Sequence, residues 1–483
     1  MDAKKRYSKE IVFSNLIWRF AERMGAQLVS FVVSVVLARL LIPEVYGKIV
    51  LTNVFIMILQ VFVDSGFGNA LIQKKDADEL DFSSVFYINL GFCIVLYSML
   101  FLAAPLIAGI YADPEMTWVI RVLGLTVIIS GVKNIQQAYV SRKMMFRKFF
   151  FATLGGTVIS GIAGIILAYN GAGVWAVVVQ QLSNAFIDTC ILWVTVRWRP
   201  SEGFSFDRIK QLYSYGWKLL LSSLIDVTYN NLRSLIIGRV YSGSDLAYYD
   251  RGQRIPSLVV TNINASIDSV LLPVMSSEQD NVTRVREMCR RSVSVSTYLI
   301  APLMLGLAAV SKPLTVVLLT DKWIESVPFM RIFCLIFMLY PIHTANLNAI
   351  KALGRSDIFL HLEVIKKVIG IVALLLTMMI SVKAMAYSLL LVSVINQIIN
   401  AHPNKKLMDY GYTDQLKDIG LNMVLAIGMM LAVYPLSNLS IPMWTVLLVQ
   451  IITGMAVYLI LSVIFKPKGY IYCSSLIKEH LGR

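Results

Sequence analysis

Charge is scarce in this chain. Of its 483 residues only 15% are Asp, Glu, Lys or Arg, against about 25% in an ordinary soluble domain. Hydrophobic residues make up 57%, and the mean hydropathy is +0.69. A water-soluble fold this apolar would expose large hydrophobic patches and aggregate, so the composition excludes one. Cysteine is also thin: Cys93, Cys190, Cys289, Cys334 and Cys473 are scattered, with no CxxC, which leaves neither a disulfide framework nor a zinc site. No GxxxxGK[ST] occurs, so the chain has no P-loop for ATP. HExxH, GxSxG and Cys/His metal spacings are missing too. No secretory signal is evident, because the opening "MDAKKRYSKE" is polar and the apolar run behind it lacks a small-residue cleavage site.

What is present is a series of apolar runs, each near the roughly 20 residues that cross a bilayer. Breaks at Gly, Pro, Asn and charge clusters divide them into about fourteen spans: 11–40, 47–72, 83–110, 117–140, 149–169, 174–196, 211–240, 247–274, 290–311, 327–350, 358–380, 384–401, 419–436 and 442–465. The expected fold is an all-α polytopic membrane protein. Lys and Arg divide unevenly between the alternate connections. Twenty-seven fall on the N-terminal side, among them Arg142, Lys143, Arg147 and Lys148 in "VSRKMMFRKF", and three (Lys312, Lys322, Lys383) on the other. Cytoplasmic loops carry that excess, so both termini are expected in the cytoplasm. The formal charge of +15 is therefore loop bias spread over eight connections. It is not a nucleic-acid surface, which would cluster on one domain.

The chain also repeats. "ARLLIPEVYG" (38–47) is echoed by "GRVYSGSDLAYY" (238–249), "APLIAGIY" (104–111) by "KPLTVVLL" (312–319) with Pro105 and Pro313 in register, and "RVLGL" from Arg121 by "RIFCL" from Arg331. A duplicated six-helix unit keeps its orientation across the membrane, a transporter architecture with the substrate path between halves. The expected organisation is an N-lobe over 1–200, a C-lobe over 201–410, joined by the linker 197–210, and two extra spans with a tail over 411–483.

Polar groups inside spans are costly and point to a cavity, a partner or the interface. In the first span Arg19, Arg23, Gln27, Ser30 and Ser34 fall within about 80° of helical arc, with Glu22 placed to pair with Arg19 at i,i+3. In the seventh, Lys218, Ser222, Asp226, Asn230 and Arg233 fall within about 120°. Two readings are open. The stripes line a polar cavity, or Arg19, Arg23 and Lys218 snorkel to headgroups while Asp226 and Arg233 satisfy each other. Asp64 either faces the cavity or caps a helix break at Ser65-Gly66. Lys133, Asn134, Gln136 and Gln137, and at the matching place His343, Asn346, Asn348 and Lys351, are read as helix glue. Gly156, Ser160 and Gly164 are read as a close-packing ridge.

The stretches "VLARLLIPEVYGKIVLTNVF", "FVDSGFGNALIQKKD" and "QQAYVSRKMMFRKFFFATLGGTVISGIAGIILAYNGAGVWAVVVQQL" resemble the polysaccharide transporter (Wzx-type) family. That family belongs to the multidrug/oligosaccharidyl-lipid/polysaccharide (MOP) exporter superfamily, and the similar branch contains the colanic-acid and teichuronic-acid exporters. The resemblance implies two pseudo-symmetric six-helix lobes plus two C-terminal helices, and alternating access. It also implies transfer of an undecaprenyl-pyrophosphate-linked oligosaccharide from the cytoplasmic to the outer leaflet. Arg19, Arg23, Gln27, Lys218, Asn230 and Arg233 would then bind pyrophosphate and sugar, while Asp64 and Asp226 are candidates for a coupling H+ or Na+. No other cofactor and no metal is expected; polysaccharide polymerase or assembly proteins are candidate partners. The alternatives are a cation-coupled multidrug efflux transporter, for which a cavity rich in Arg has the wrong sign, a membrane glycosyltransferase or polymerase, disfavoured by outer connections no longer than 312–326, and a non-transporting scaffold.

Overall fold

The computed structural model describes residues 9–64, 68, 71–72, 74 and 76–481, leaving aside the side chains of 9–13, 16, 211–216, 218–219, 476–477 and 480–481. All regular structure among them is helical. In order the α-helices are α1 Lys9–Leu40, α2 Pro43–Val63, α3 Glu79–Ile110, α4 Glu115–Arg142, α5 Phe146–Tyr169, α6 Val174–Thr195, α7 Phe206–Val240, α8 Gly243–Ser277, α9 Val282–Ala309, α10 Ser311–Leu319, α11 Val327–Met338, α12 Tyr340–Ala352, α13 Ser356–Thr377, α14 Val382–Met408, α15 Tyr412–Val433, α16 Met443–Phe465 and α17 Lys468–Leu481.

Twelve helical segments among the described residues are long and apolar enough to cross a membrane, and the protein is a multi-pass membrane protein. The expected count of about fourteen is not reached by that measure. Two more helices, α7 and α13, have the length but carry Asp226 and Arg233, and Glu363, Lys366 and Lys367, along it. The segment expected over 327–350 is interrupted: α11 ends at Met338 and α12 opens at Tyr340, where Pro341 cannot donate the next backbone hydrogen bond. Within the expected span 47–72, α2 stops at Val63 with Asp64 as its C-cap, and residues 65–67 and 69–70 lie outside the described residues.

The chain separates into two compact units, Met1–Leu246 and Ala247–Arg483. The division falls within α8, because α7 packs on α2 and α3 of the first unit. In that unit the basic connections gather at one end. Lys74 pairs with Asp81 at 2.6 Å, Arg208 with Asp78 at 3.2 Å, and Arg142 donates to the carbonyls of Leu71 and Lys74 at 2.6 Å each. The linker 197–210 is pinned there: Trp198 Nε1 donates to Glu79 at 2.6 Å, and its carbonyl accepts from Gln136 at 3.0 Å. Asp78 caps α3 by accepting from the Asp81 amide at 2.9 Å. That bond, with Arg208 alongside, holds the Asp78 carboxyl below the usual carboxylate range. At the unit's other end Lys48 meets Glu115 at 2.6 Å and Asp113 at 3.0 Å. In the second unit Arg290, Lys468 and the Tyr410 hydroxyl converge on the buried Asp418, at 2.6, 2.9 and 3.2 Å.

The repeat has geometric counterparts. Both helix pairs break at the same two positions, 41–42 and 241–242. Arg121 Nε donates to the carbonyl of Phe101 at 3.3 Å, and Arg331 Nε to Ser311 Oγ at 2.9 Å: in each half the arginine reaches the residue twenty positions earlier. The prolines differ. Pro105 lies inside the continuous α3, whereas Pro313 lies in the separate short α10, after the chain turns at Val310.

The small-residue ridge packs as expected. A Cβ on Gly156 would meet Asp188 at 3.1 Å and one on Gly164 would meet Gln180 at 2.6 Å, so α5 and α6 touch almost backbone to backbone. The turn between them uses Gly171 and Gly173 at φ 76° and 55°, a region other residues enter at a cost.

Candidate functional site

The polar stripe of α1 occupies a face of its own. Glu22 and Val33 are buried on the side packed against α5, where Glu22 lies 3.5 Å from Thr153 Oγ1 and Val33 meets Gly161. Ile17, Phe20, Met24, Leu28 and Val32 form an uncovered apolar face. Arg19, Arg23, Gln27, Ser30 and Ser34 run along a third face, half-buried or exposed, centred about 120° from the apolar one. α7 is built the same way: Trp217, Leu221 and Ile225 are uncovered on one side, and Ser222, Asp226 and Asn230 are uncovered about 140° away. A lipid-facing helix needs only the apolar surface. An uncovered polar surface beside it on the same membrane helix calls for water or a polar ligand, since leaving such groups in hydrocarbon costs several kcal/mol each.

Arg233 stands apart from the rest of its stripe. It is 6% exposed, and its Nε and Nη2 make no hydrogen bond among the described residues. Its Nε and Nη2 do not reach Asp226, which lies exposed and has a partner elsewhere, so the alternative in which these two residues satisfy each other finds no support. A buried guanidinium normally has its donors occupied. This one keeps two ready for an acceptor. The side chain of Lys218 lies outside the described residues.

Arg19 and Asp64 meet in a cavity of about 310 Å³, together with Glu22, Asn134, Gln137 and Ser141. Arg19 donates to Glu22 at 2.7 Å, as its spacing predicts, and lies 5.1 Å over the Phe149 ring. Asp64 is the C-cap of α2 and lines this cavity of the first unit, accepting from Gln60 at 3.2 Å and Asn134 at 3.3 Å, while the break expected at Ser65-Gly66 lies outside the described residues. Arg23, Gln27 and Asn230 do not line it. The structure therefore distributes the predicted residues among three places: this cavity, the uncovered stripes, and the buried Arg233.

The amide clusters serve as glue. Asn346 and Gln415 exchange hydrogen bonds at 2.7 and 2.9 Å, Asn404 joins them at 2.7 Å, Asn348 bonds Asp268 at 2.8 Å, and His343 meets Asn400 at 3.1 Å. Asp188 is among the buried ionisable residues that the stripes and repeats do not pick out. It is buried in α6 and pairs with Lys133 of α4 at 3.0 Å. An acid in the middle of an apolar span was signal enough, but its partner lies 55 positions away, which no spacing rule reaches.

Comparison with known proteins adds the following. Residues 36–328 match the family described as "Polysaccharide biosynthesis protein". Teichuronic acid biosynthesis protein TuaB of Bacillus subtilis is 25% identical over 62% of this chain and 62% of its own length, so the match spans less than two thirds of that relative. Lipopolysaccharide biosynthesis protein WzxC of Escherichia coli is 23% identical over 76% of this chain and 75% of its own. Among solved structures, the lipid II flippase MurJ in an inward closed conformation superposes with a TM-score of 0.74 at 15% identity, covering 93% of this chain and 98% of that one. This chain shares its fold.

Proposed function

Because the chain belongs to the polysaccharide biosynthesis protein family, we propose that it is a flippase. It moves a pyrophosphate-linked, prenyl-anchored oligosaccharide from the cytoplasmic to the outer leaflet by alternating access. The names of its relatives, which include a succinoglycan transport protein of Rhizobium meliloti, support the substrate class. The observation that carries the mechanism is the pair of uncovered polar faces on α1 and α7, each beside a separate apolar face, with Arg233 buried at the end of the second. A pyrophosphate cannot enter hydrocarbon alone. Arginine meets phosphate oxygens two at a time, so Arg19, Arg23 and Arg233, with Lys218, take the headgroup while Gln27 and Asn230 meet sugar hydroxyls and the prenyl tail stays in lipid. Both termini lie in the cytoplasm of a bacterial inner membrane on this reading, and the protein carries out no bond chemistry. Polymerase or other assembly proteins would take up the product on the far side.

The Arg23→Ala variant is expected to flip a lipid-linked glycan in reconstituted vesicles several-fold more slowly with little change in thermal stability, and Arg19→Ala/Arg23→Ala at least tenfold more slowly, with a lower thermal midpoint because the buried Glu22 loses its partner. An unchanged rate would remove these cations from the mechanism. Direction needs an energy source, and a proton or sodium ion coupled through Asp64 or Asp226 would supply it. Asp64→Asn is expected to abolish acceleration by an imposed proton or sodium gradient while leaving gradient-free equilibration in place. Equal acceleration in the variant would exclude Asp64.

A further inference from the structure

The basic α4–α5 connection has a use that transport leaves unexplained. Of its four cations, Arg142 is occupied by the carbonyls of Leu71 and Lys74, and Lys143 lies 5.6 Å over the Tyr139 ring. The other two, Arg147 and Lys148, line a pocket of about 580 Å³ at the basic end of the first unit, together with Trp18, Phe151, Asn15 and Thr195. Among the described residues its lining includes no carboxylate. The Arg147 guanidinium lies 5.4 Å from the Trp18 ring and 5.6 Å from that of Phe151. Ring contacts hold a guanidinium in place yet leave its N–H edge able to donate. Lys148 donates to the carbonyl of Thr195, which uses one of its three protons.

Uncovered apolar side chains accompany it: Phe151 of the lining is 48% exposed, and Ile17 and Val194, next in sequence to Trp18 and Thr195, are 52% and 83%. Two cations with no counter-charge among the described lining residues select an anion, and an uncovered apolar rim on a membrane protein selects an anion that carries acyl chains. Tryptophan at the end of a span also sits at headgroup depth. We propose that this pocket binds the headgroup phosphate of an anionic phospholipid, held by Arg147 and Lys148 against the Trp18 face. The proposal does not depend on what the protein transports.

The test uses the full-length purified protein. Native mass spectrometry with phosphatidylglycerol and, separately, phosphatidylcholine is expected to show retained phosphatidylglycerol. Arg147→Gln/Lys148→Gln should weaken it roughly tenfold or more, since a cation near anionic lipid contributes about 1 kcal/mol and tenfold is 1.4 kcal/mol. Lys143→Gln, from the same connection but outside the pocket, should bind as the unsubstituted protein does. Equal retention by the double variant, or displacement of the lipid by millimolar inorganic phosphate, would overturn the proposal; the second result would mark a soluble-anion site. A second measurement needs no charge variant. Brominated phosphatidylglycerol should quench tryptophan fluorescence more than brominated phosphatidylcholine, and Trp18→Phe should erase the difference. Equal quenching by the two lipids would also overturn it.

Discussion

Arg233→Met is expected to raise the thermal midpoint of the purified protein while lowering glycan flipping at least tenfold. The two effects have one cause. Arg233 is 6% exposed with two guanidinium nitrogens lacking a hydrogen-bond acceptor, and an unpaired buried charge costs several kcal/mol. Methionine fills similar volume without the charge, so the folded state should gain about 1–3 kcal/mol, by the same logic that makes apolar replacement of buried ion pairs neutral or stabilising. A site that retains such a cost has a use for the charge, and an anionic ligand is the natural one. Arg233→Lys should fall between, keeping the charge but losing the two-pronged geometry. Thermal unfolding and vesicle flipping, measured on the same preparations, decide it. A destabilised Arg233→Met protein would mean the guanidinium is structural, and full flipping would mean it never meets substrate.

Gly47→Ala is expected to be the most damaging added methyl among the described glycines, lowering the thermal midpoint by several degrees, whereas Gly243→Ala is expected to be nearly neutral. The two glycines face each other where the repeat-related junctions 41–42 and 241–242 approach, yet their surroundings are not symmetric. A Cβ on Gly47 would lie 2.0 Å from the Gly243 carbonyl oxygen and 2.5 and 2.7 Å from its C and Cα. All three are backbone atoms and cannot rotate away. Overpacking against movable side chains costs about 1–3 kcal/mol; against backbone it forces the start of α2 away from the start of α8. A Cβ on Gly243 would meet only Glu44, at 3.6 and 3.9 Å, which is ordinary contact. Gly109→Ala, with nothing within 4 Å, is the control. Equal stability of the Gly47 and Gly243 variants would show that the junctions do not touch in solution.

Much of the architecture was legible because its causes are local. Span positions follow from runs of apolar residues, and the two residues 41–42 recur at 241–242 because the repeat carries the same break. The sidedness of the charges also has a structural counterpart: Lys74, Arg142, Trp198 and Arg208, distant in sequence, gather at one end of the first unit. The site was legible only in part. The spacing of Arg19 and Glu22 predicts their 2.7 Å contact, because i,i+3 neighbours share a helix face. Nothing local says that Arg233 is buried while Asn230, on the same stripe, is not.

Composition and hydropathy were enough to establish a polytopic helical membrane protein, since each is a sum over neighbours along the chain. Which polar groups are sealed by partners and which stay open was settled by packing. The Asp188–Lys133 pair, the Asn346–Gln415 exchange, the Arg19–Asp64 cavity and the Gly47–Gly243 approach each need two helices to meet in one register. The physical reason is that burial and hydrogen-bond satisfaction depend on neighbours in space, and helical periodicity specifies only the direction in which a side chain leaves its own helix.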